Sequence, residues 1–440
     1  MTHAFGERLP DLRVRPPGPK SQQWAARLRR VESRNVTFVS ETFPVFWVRA
    51  RGANVEDADG NIYLDLSGAF GVAAAGHTAE PIVQALHDQA EILVHGMGDI
   101  HPTPLKVELL ERLARLAPWR SARGVLASSG SEAIEVALKT ALLATGRTGV
   151  LAFEGSYHGL TLGALSVTHR DDFRAPFRSR LFEGVRFLPF PGGPSGAPVH
   201  EALTRVREVL AGRDGGPAVG AVLVEPIQGR GGVRVPPPGF LSQVAELAHT
   251  AGALMICDEI FTGLGRTGRM FAFEHEGLSP DVICLGKALG GGMPLSACLA
   301  PRRVMDAWPE SAGEALQTST FLGHPLSCAA ALAFLDVLEK EGLVRRAREV
   351  GDRLQSRLRD RLGALPGVRD VRGRGLMIGI ELSVGDGQRS GSEVAEALLR
   401  RGILLLPAGP QGNVLELVPP LTIAEHQLDF AVETLVAELG

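Results

Sequence analysis

Short apolar runs alternate with longer amphipathic segments through the middle of the chain. The apolar runs lie at 124–127, 149–153, 220–224, 253–257, 282–285 and 296–300. Strands of this length separated by segments of helical periodicity predict an α/β fold, in which helices cover both faces of a mostly parallel sheet. Ligands in such sheets bind at the carboxyl ends of the strands, so we expect functional side chains directly after these runs.

The flanking segments predict a second, smaller α+β domain. Residues 46–50 and 53–64 are typical of a hairpin with an Asp-Gly turn, and a long helix at 328–340 precedes strands at 375–382 and 414–418. The predicted organisation is an N-terminal arm (1–30), the N-terminal part of the small domain (31–69), a large domain (70–325) and a C-terminal small domain (326–440).

The arm is rich in proline and arginine, as in Arg15-Pro16-Pro17-Gly18-Pro19. Two interpretations stay open for it. The arm lies against a partner subunit, or it is a flexible, solvated tail.

Composition narrows the class of protein. Of the 440 residues, 45% are hydrophobic and 22% are charged, which is typical of a soluble globular enzyme. A net charge of −3 gives no excess of positive charge of the kind that nucleic-acid binding needs. No apolar run has the length of a membrane span, and the N-terminus lacks the apolar core of a signal peptide. The four cysteines show no paired spacing, which favours free thiols in a reducing cytoplasm over disulfides or a metal site.

Candidate chemistry follows two of the apolar runs, at Asp258 and Lys287. A desolvated lysine amine is a good Schiff-base nucleophile, since burial disfavours its ammonium form. An aspartate at a neighbouring strand end suits the protonated nitrogen of a pyridine ring, so the pair indicates pyridoxal 5′-phosphate (PLP).

A candidate phosphate site lies at Ser129-Gly130-Ser131, where an apolar run ends and a helical pattern begins. Amides and hydroxyls at a helix N-terminus bind anions. The alternative is that Ser129 or Ser131 only caps the helix.

Seven motifs resemble, in their order, those of the class III aminotransferases. This subgroup of the fold-type I PLP-dependent enzymes includes ornithine, acetylornithine and 4-aminobutyrate aminotransferases. The resemblance runs from about residue 35 to the C-terminus. The motifs are Ser129-Gly130-Ser131-Glu132-Ala133, Tyr157-His158-Gly159, Val224-Glu225-Pro226-Ile227-Gln228-Gly229, Asp258-Glu259-Ile260, Thr262-Gly263-Leu264-Gly265-Arg266-Thr267-Gly268, Gly286-Lys287-Ala288-Leu289-Gly290-Gly291-Gly292 and Thr320-Phe321-Leu322-Gly323-His324-Pro325.

The resemblance implies roles around the cofactor ring. Lys287 would form the Schiff base with PLP and carry the proton between substrate and cofactor. Asp258 would pair with the pyridinium nitrogen. Tyr157 would stack on one face of the ring and Ile260 on the other, with Gln228 near the ring hydroxyl.

The resemblance also implies contacts at the edge of the cofactor. Gly130 and Ser131, next to Ser129, would bind the phosphate. His158 is expected to pack and hydrogen-bond locally beside the cofactor. Thr320 would reach the phosphate of a neighbouring subunit, which implies a homodimer, with a tetramer left open.

Substrate recognition departs from the family pattern. Relatives that bind ω-amino acids or 2-oxoglutarate usually clamp carboxylates with two arginines, and the corresponding places here hold Leu160 and Glu416. In the relatives, the glutamate at the place of Glu225 pairs with the second arginine. We expect Glu225 and Glu416 to face one another instead, which favours a cationic substrate such as a diamine. Phe70 is a candidate pocket wall, with core packing as the alternative.

Other outcomes stay open for Glu416. It points to solvent, or it bonds to Arg372 or Arg374. Alternatively, Arg230 or Arg266 restores a carboxylate site. Two further departures from the family pattern, Phe261 and the Leu322-Gly323-His324 segment, are not expected to touch the chemistry.

The resemblance leaves two reactions open. The first is transamination, in which an amine donor and an oxo-acid acceptor react in turn. The second is racemisation of an amino acid, which needs an acid-base group across the ring from Lys287. Glu225 is the candidate for that group.

Overall fold

The computed structural model describes residues 4–194, 196–385 and 387–440, so the first three residues of the predicted arm lie outside it. The strands are β1 (Trp47–Arg51), β2 (Asn54–Asp57), β3 (Ile62–Asp65), β4 (Ala122–Ala127), β5 (Gly149–Phe153), β6 (Val185–Leu188), β7 (Val219–Val224), β8 (Leu254–Asp258), β9 (Val282–Leu285), β10 (Ser296–Pro301), β11 (Val368–Arg374), β12 (Met377–Leu382), β13 (Ile403–Leu404), β14 (Leu406–Ala408) and β15 (Val414–Leu417).

The α-helices are α1 (Pro19–Val31), α2 (Gly68–Gly71), α3 (Glu80–Ile92), α4 (Pro104–Leu116), α5 (Gly130–Thr145), α6 (Leu162–Val167), α7 (Asp171–Arg174), α8 (Val199–Leu210), α9 (Phe240–Thr250), α10 (Arg302–Met305), α11 (Pro325–Lys340), α12 (Leu343–Leu362), α13 (Gly391–Leu399) and α14 (Glu425–Leu439). Three short 3₁₀ helices lie at Ala175–Arg180, Ala272–Glu276 and Lys287–Gly290. No helix in the described ranges is both long and apolar enough to cross a membrane.

The large sheet has seven strands in the order β4-β10-β9-β8-β7-β5-β6. Only β10 runs antiparallel to its neighbours, β4 and β9, and the remaining pairs are parallel. The predicted mostly parallel α/β sheet is therefore confirmed. The half-buried edge strand β6 was not predicted, because Arg186 interrupts its apolar residues.

Successive residues of the central strands pack on opposite faces of this sheet. Along β5, Val150 and Ala152 join the apolar cluster that contains α5, whereas Leu151 and Phe153 join the cluster that contains α8 and α9. Both faces are covered by helices, as predicted. Each strand is held from two sides, so the residues at its carboxyl end are fixed in position.

Two four-stranded sheets form the rest of the fold. One has the order β1-β2-β3-β13, and the other has the order β11-β12-β15-β14. Since β13 pairs parallel with β3, a strand from the C-terminal segment completes the sheet begun by the N-terminal hairpin. The smaller α+β part is thus built from both ends of the chain, as the sequence predicted. The exact domain boundaries stay predictions.

The N-terminal segment lies along the chain's own hairpin. The side-chain oxygen of Asn54 accepts hydrogen bonds from the amides of Gly6 (3.0 Å) and Arg8 (2.8 Å). The oxygen of Asn61 accepts from the amides of Arg13 (2.8 Å) and Val14 (3.0 Å). These bonds speak against the flexible-tail interpretation. Contact of the arm with a partner subunit stays a prediction.

Replacing Asn61 by alanine should free this segment. Asn61 is buried and also donates from its amide to Asp57, so the substitution leaves several polar groups without partners. We expect a loss of about 2 kcal/mol in the free energy of unfolding and faster proteolysis near the N-terminus. Gln23→Ala, at an exposed position of α1, is the control. Equal stability of the two variants would contradict the anchoring role.

Candidate active site

The large sheet brings Asp258 and Lys287 to the same edge. Asp258 is the last residue of β8 and is paired in register with Cys284 of β9, and Lys287 follows two residues after the end of β9. The amide of Glu259 continues the pairing by donating to the carbonyl of Cys284 at 2.9 Å. Neighbouring parallel strands therefore hold the two predicted catalytic side chains close together.

Lys287 occupies an unusual backbone conformation. Its φ of 44° lies in the left-handed region, which a residue with a side chain adopts at a cost of order 1 kcal/mol. Burial lowers the pKa of its amine, while the negative charges of Asp258, Glu225 and Glu416 oppose that shift. A larger share of neutral, nucleophilic amine is the consequence.

Phe261 contacts the Lys287 side chain, which corrects the expectation that this departure does not touch the chemistry. The amine nitrogen lies 4.4 Å from the centre of the phenyl ring. The ring excludes water from one side of the amine and offers its π face to the ammonium form. The signal was missed because sequence separation gives no orientation for a side chain in a turn.

Asp258 is fixed by two hydrogen bonds. One carboxylate oxygen accepts from His158 Nδ1 at 2.7 Å, and the other accepts from the backbone amide of Ile260 at 3.1 Å. His158 Nε2 is buried and has no partner within the described residues. The expectation of a local hydrogen bond by His158 therefore holds, and its partner is the predicted catalytic aspartate.

The serines at the N-terminus of α5 confirm the helix-cap interpretation for Ser129, and phosphate binding stays a prediction. Ser129 caps the helix, since its hydroxyl accepts from the amide of Glu132 while the Glu132 carboxylate accepts from the amide of Ser129. This box leaves the amides of Gly130 and Ser131 at the first turn. A Cβ at Gly130 would lie 3.0 Å from Ile260, so the glycine permits a close approach beside that side chain.

Glu225 joins two loops of the site. Its carboxylate accepts from the amide of Tyr157 at 2.9 Å and from that of Gly229 at 3.0 Å. Burial raises the pKa of Glu225 to about 7 against the opposing charge of His158. Gln228, in the same loop, donates to the carbonyl of Glu154 at 2.9 Å, and its oxygen is buried without a partner in the part of the chain that the structure describes.

Glu416 is buried, with 7% of its surface exposed, and its Oε1 has no hydrogen-bond partner among the described residues. Burial raises its pKa to about 7, opposed by the positive charges of Arg230 and Lys287. The interpretation that it points to solvent is wrong. The interpretation that Glu416 pairs with Arg372 is also wrong, because the Arg372 guanidinium donates a hydrogen bond to Glu381 at 2.6 Å.

Two predicted substrate residues are exposed on this chain. Phe70 is 60% exposed, which contradicts the alternative of core packing, and Leu160 is 49% exposed. The amide of Leu160 donates to the Ser131 hydroxyl at 3.2 Å. Thr320 is also exposed, and its contact with a neighbouring subunit stays a prediction.

The family model of the class III aminotransferases matches residues 37–439. The chain belongs to the class III aminotransferase family. The match covers every motif of the predicted site, from the helix cap at Ser129 to the segment that contains Thr320. Class III aminotransferases depend on PLP, so the structure presents a PLP-dependent enzyme.

Individual relatives support this assignment over nearly the whole chain. An acetylornithine aminotransferase from Methanopyrus kandleri is 41% identical over 398 residues, which cover 90% of this chain and 95% of the relative. An alanine/serine racemase from Pyrococcus horikoshii is 32% identical over 439 residues, covering 96% and 91%. The structure of an ornithine aminotransferase from Toxoplasma gondii superposes with a TM-score of 0.84 at 31% identity, covering 95% and 94%.

The residues of this aminotransferase fit PLP. The unpartnered oxygen of Gln228 and Nε2 of His158 are buried polar atoms that a bound group or water would satisfy. The narrow gap between Gly130 and Ile260 has no room for a further side chain. These features suit a planar ring that ends in a phosphate.

Replacing Glu416 by glutamine should stabilise the aminotransferase in a pH-dependent way. The pKa of Glu416 is about 7 in the fold against 4.5 for the free side chain, so its protonated form favours folding and this contribution is lost as pH rises from 4.5 through 7. We expect thermal unfolding to show a gain of roughly 3 kcal/mol at pH 8 and little gain near pH 5. Glu310→Gln, at an exposed position, is the control. A gain independent of pH would contradict the buried, unpaired carboxylate.

Proposed function

We propose that this aminotransferase transfers an amino group from an amine or amino acid to an oxo acid in two half-reactions at Lys287. The observation that carries the proposal is the half-buried Lys287, whose amine has a lowered pKa, at the strand end beside Asp258. Lys287 would be the covalent attachment point of the cofactor. Once released by the donor, its neutral amine would take a proton from the amine-bearing carbon and return it to the cofactor.

PLP, when bound, supplies an electron sink for the carbanion formed at the substrate carbon. Asp258 would hold the pyridinium nitrogen protonated, and His158 would keep the carboxylate oriented through its 2.7 Å hydrogen bond. Tyr157 and Ile260 would contact the two faces of the ring, and Gln228 would lie near its hydroxyl group.

The phosphate would be bound at the start of α5, by the amides of Gly130 and Ser131 next to the Ser129 cap. The positive end of a sixteen-residue helix favours an anion there.

The active enzyme is, in this proposal, a homodimer with shared sites, and pairing into a tetramer stays open. Thr320 lies beside the exposed apolar side chain of Phe321, and Met97 and Ile100 are exposed in a second segment. A hydrogen bond of 2.5 Å between Thr318 and Asp99 joins the two segments. Clustered exposed apolar side chains favour a protein partner.

The cytoplasm is the proposed compartment, because all four cysteines are buried free thiols.

Racemisation is the second candidate, supported by the racemase among the relatives. It requires an acid-base group that moves a proton on the face opposite Lys287. Glu225 has a suitable pKa of about 7. Both of its oxygens, however, accept backbone hydrogen bonds that join two loops. Glu225 is thereby held in place, which favours transamination.

Lys287→Ala should reduce turnover to background, a loss of more than about 10³-fold, since no other amine replaces the nucleophile and base. Asp258→Asn should slow turnover strongly while the protein still folds, because the amide cannot hold the ring nitrogen protonated. Steady-state rates of the purified holoenzyme measure both effects. Lys340→Ala, on the exposed end of α11, is the control. Normal rates in Lys287→Ala would end the proposal.

Single-turnover mixing distinguishes the two reactions. The amines to be mixed are lysine, ornithine, 4-aminobutyrate, a diamine and neutral amino acids. We expect at least one of them to convert the absorbance of the bound cofactor permanently to that of its aminated form. Chiral analysis of each amino acid should show no loss of optical purity. An unchanged final spectrum with loss of optical purity would instead establish racemisation.

A further inference from the structure

Two opposite charges without partners lie beside Lys287. The buried Glu416 carboxylate has an oxygen that accepts no hydrogen bond from any described residue. The side chain of Arg230 is half-buried and makes neither a hydrogen bond nor an ion pair within the described residues. The two charges act on one another and on Lys287, although they do not come within ion-pair distance.

Other buried acids of this region are satisfied by the protein itself. Glu225 accepts two backbone amides, and Glu259 accepts the Thr262 hydroxyl at 2.5 Å and the Phe273 amide at 2.9 Å. Glu381 pairs with Arg372. A buried carboxylate without such partners costs several kcal/mol, and a glutamine of the same size would avoid most of this cost. The positive charges of Arg230, Lys287 and Arg266 offset part of this cost, but no hydrogen bond from a described residue holds the Glu416 carboxylate.

The nearby Arg266 does not supply the missing partner. Its guanidinium donates to the carbonyl oxygens of Leu376 at 3.1 Å and Pro419 at 2.5 Å, which fixes it between two backbone segments. It does not reach ion-pair distance from Glu416 within the described residues. These bonds hold the two segments together through Nη1, whereas Nη2 of Arg266 is buried without a partner among the described residues. Arg266 thus attracts the Glu416 carboxylate without bonding to it.

We infer that Glu416 binds a cationic group of the amino donor, remote from the reacting amine, and that Arg230 binds a carboxylate of the oxo-acid acceptor. This inference rests on the proposed transamination, in which donor and acceptor occupy the same site in turn. The donor class is an amine with a second, protonated amino or guanidino group. Because a carboxylate in that position would meet the Glu416 charge, donors with a remote carboxylate are disfavoured.

The donor half of the inference is tested with three amines of five carbons each. Pentylamine, 1,5-diaminopentane and 5-aminopentanoate carry a methyl, an ammonium and a carboxylate group at the remote end. A charge-assisted hydrogen bond to a buried carboxylate predicts that wild-type holoenzyme reacts at least about tenfold faster with the diamine than with pentylamine, measured as single-turnover kcat/KM. In Glu416→Gln this ratio should fall to about one, whereas Glu310→Gln keeps it.

A binding measurement removes the dependence on turnover. Butylguanidinium and butylurea have nearly the same shape, neither forms an imine, and only the first is charged. Calorimetry with wild-type holoenzyme should show butylguanidinium binding at least about tenfold more tightly, and Glu416→Gln should bind the two compounds equally.

The acceptor half is tested at Arg230. The second half-reaction transfers the amino group from the cofactor to the acceptor. Arg230→Gln should slow this half-reaction by about tenfold or more with pyruvate, and change its rate by no more than about twofold with an uncharged aldehyde. Circular dichroism confirms that both variants fold.

These measurements distinguish a failure of the proposed transamination from a failure of the roles inferred for Glu416 and Arg230. If no amine of any charge transfers its amino group, the proposed function fails, while the guanidinium titration still reports on Glu416. A second outcome is that amines transfer equally well whatever their remote charge, and that Glu416→Gln changes neither the rate ratio of diamine to pentylamine nor the affinity ratio of butylguanidinium to butylurea. In that case transamination stands, and binding of a cationic group by Glu416 is overturned. An unchanged return half-reaction in Arg230→Gln overturns the acceptor role.

Discussion

The cost of burying charge at the carboxyl edge of the large sheet is the constraint on which this site depends. Lys287 is half-buried, and its amine is acted on by carboxylates from three separate segments, at Asp258, Glu225 and Glu416. Burial favours the neutral amine, whereas the carboxylates favour the ammonium form. The balance of the two keeps the lysine reactive and still able to carry a proton, which a fully exposed lysine would not be.

The scaffold supplies the rigidity that this balance needs. Asp258 and Lys287 are placed by neighbouring parallel strands whose alternate residues pack against helices on both faces. The left-handed backbone at Lys287 would relax if the surrounding chain were loose, so the strain persists only because β9 and the glycine-rich turn hold it. Hydrogen bonds from His158 and Ile260 fix Asp258 in the same way.

Sequence patterns predicted the scaffold well because they depend on periodicity. The apolar runs at 149–153 and 282–285 are the observed strands β5 and β9, and residues after such runs must lie at the sheet edge. The half-buried strand β6 was not predicted, because an edge strand needs no continuous apolar run. The contact of Phe261 with Lys287 and the lack of a partner for Glu416 were also not predicted, since both depend on side-chain directions set by tertiary packing.

Family membership and substrate choice are therefore determined by different parts of the chain. Identity of 41% to an acetylornithine aminotransferase extends over 90% of this chain, but a shared fold does not by itself determine the substrate. In the proposed transamination, substrate choice would depend on Glu416 and Arg230, whose charges act on Lys287. Burial of Glu416 without a hydrogen bond from a described residue costs stability, which the positive charges of Arg230 and Lys287 offset only in part. A cationic group on a bound donor would offset more of this cost, so the proposed donor class rests on Glu416 rather than on the names of the relatives.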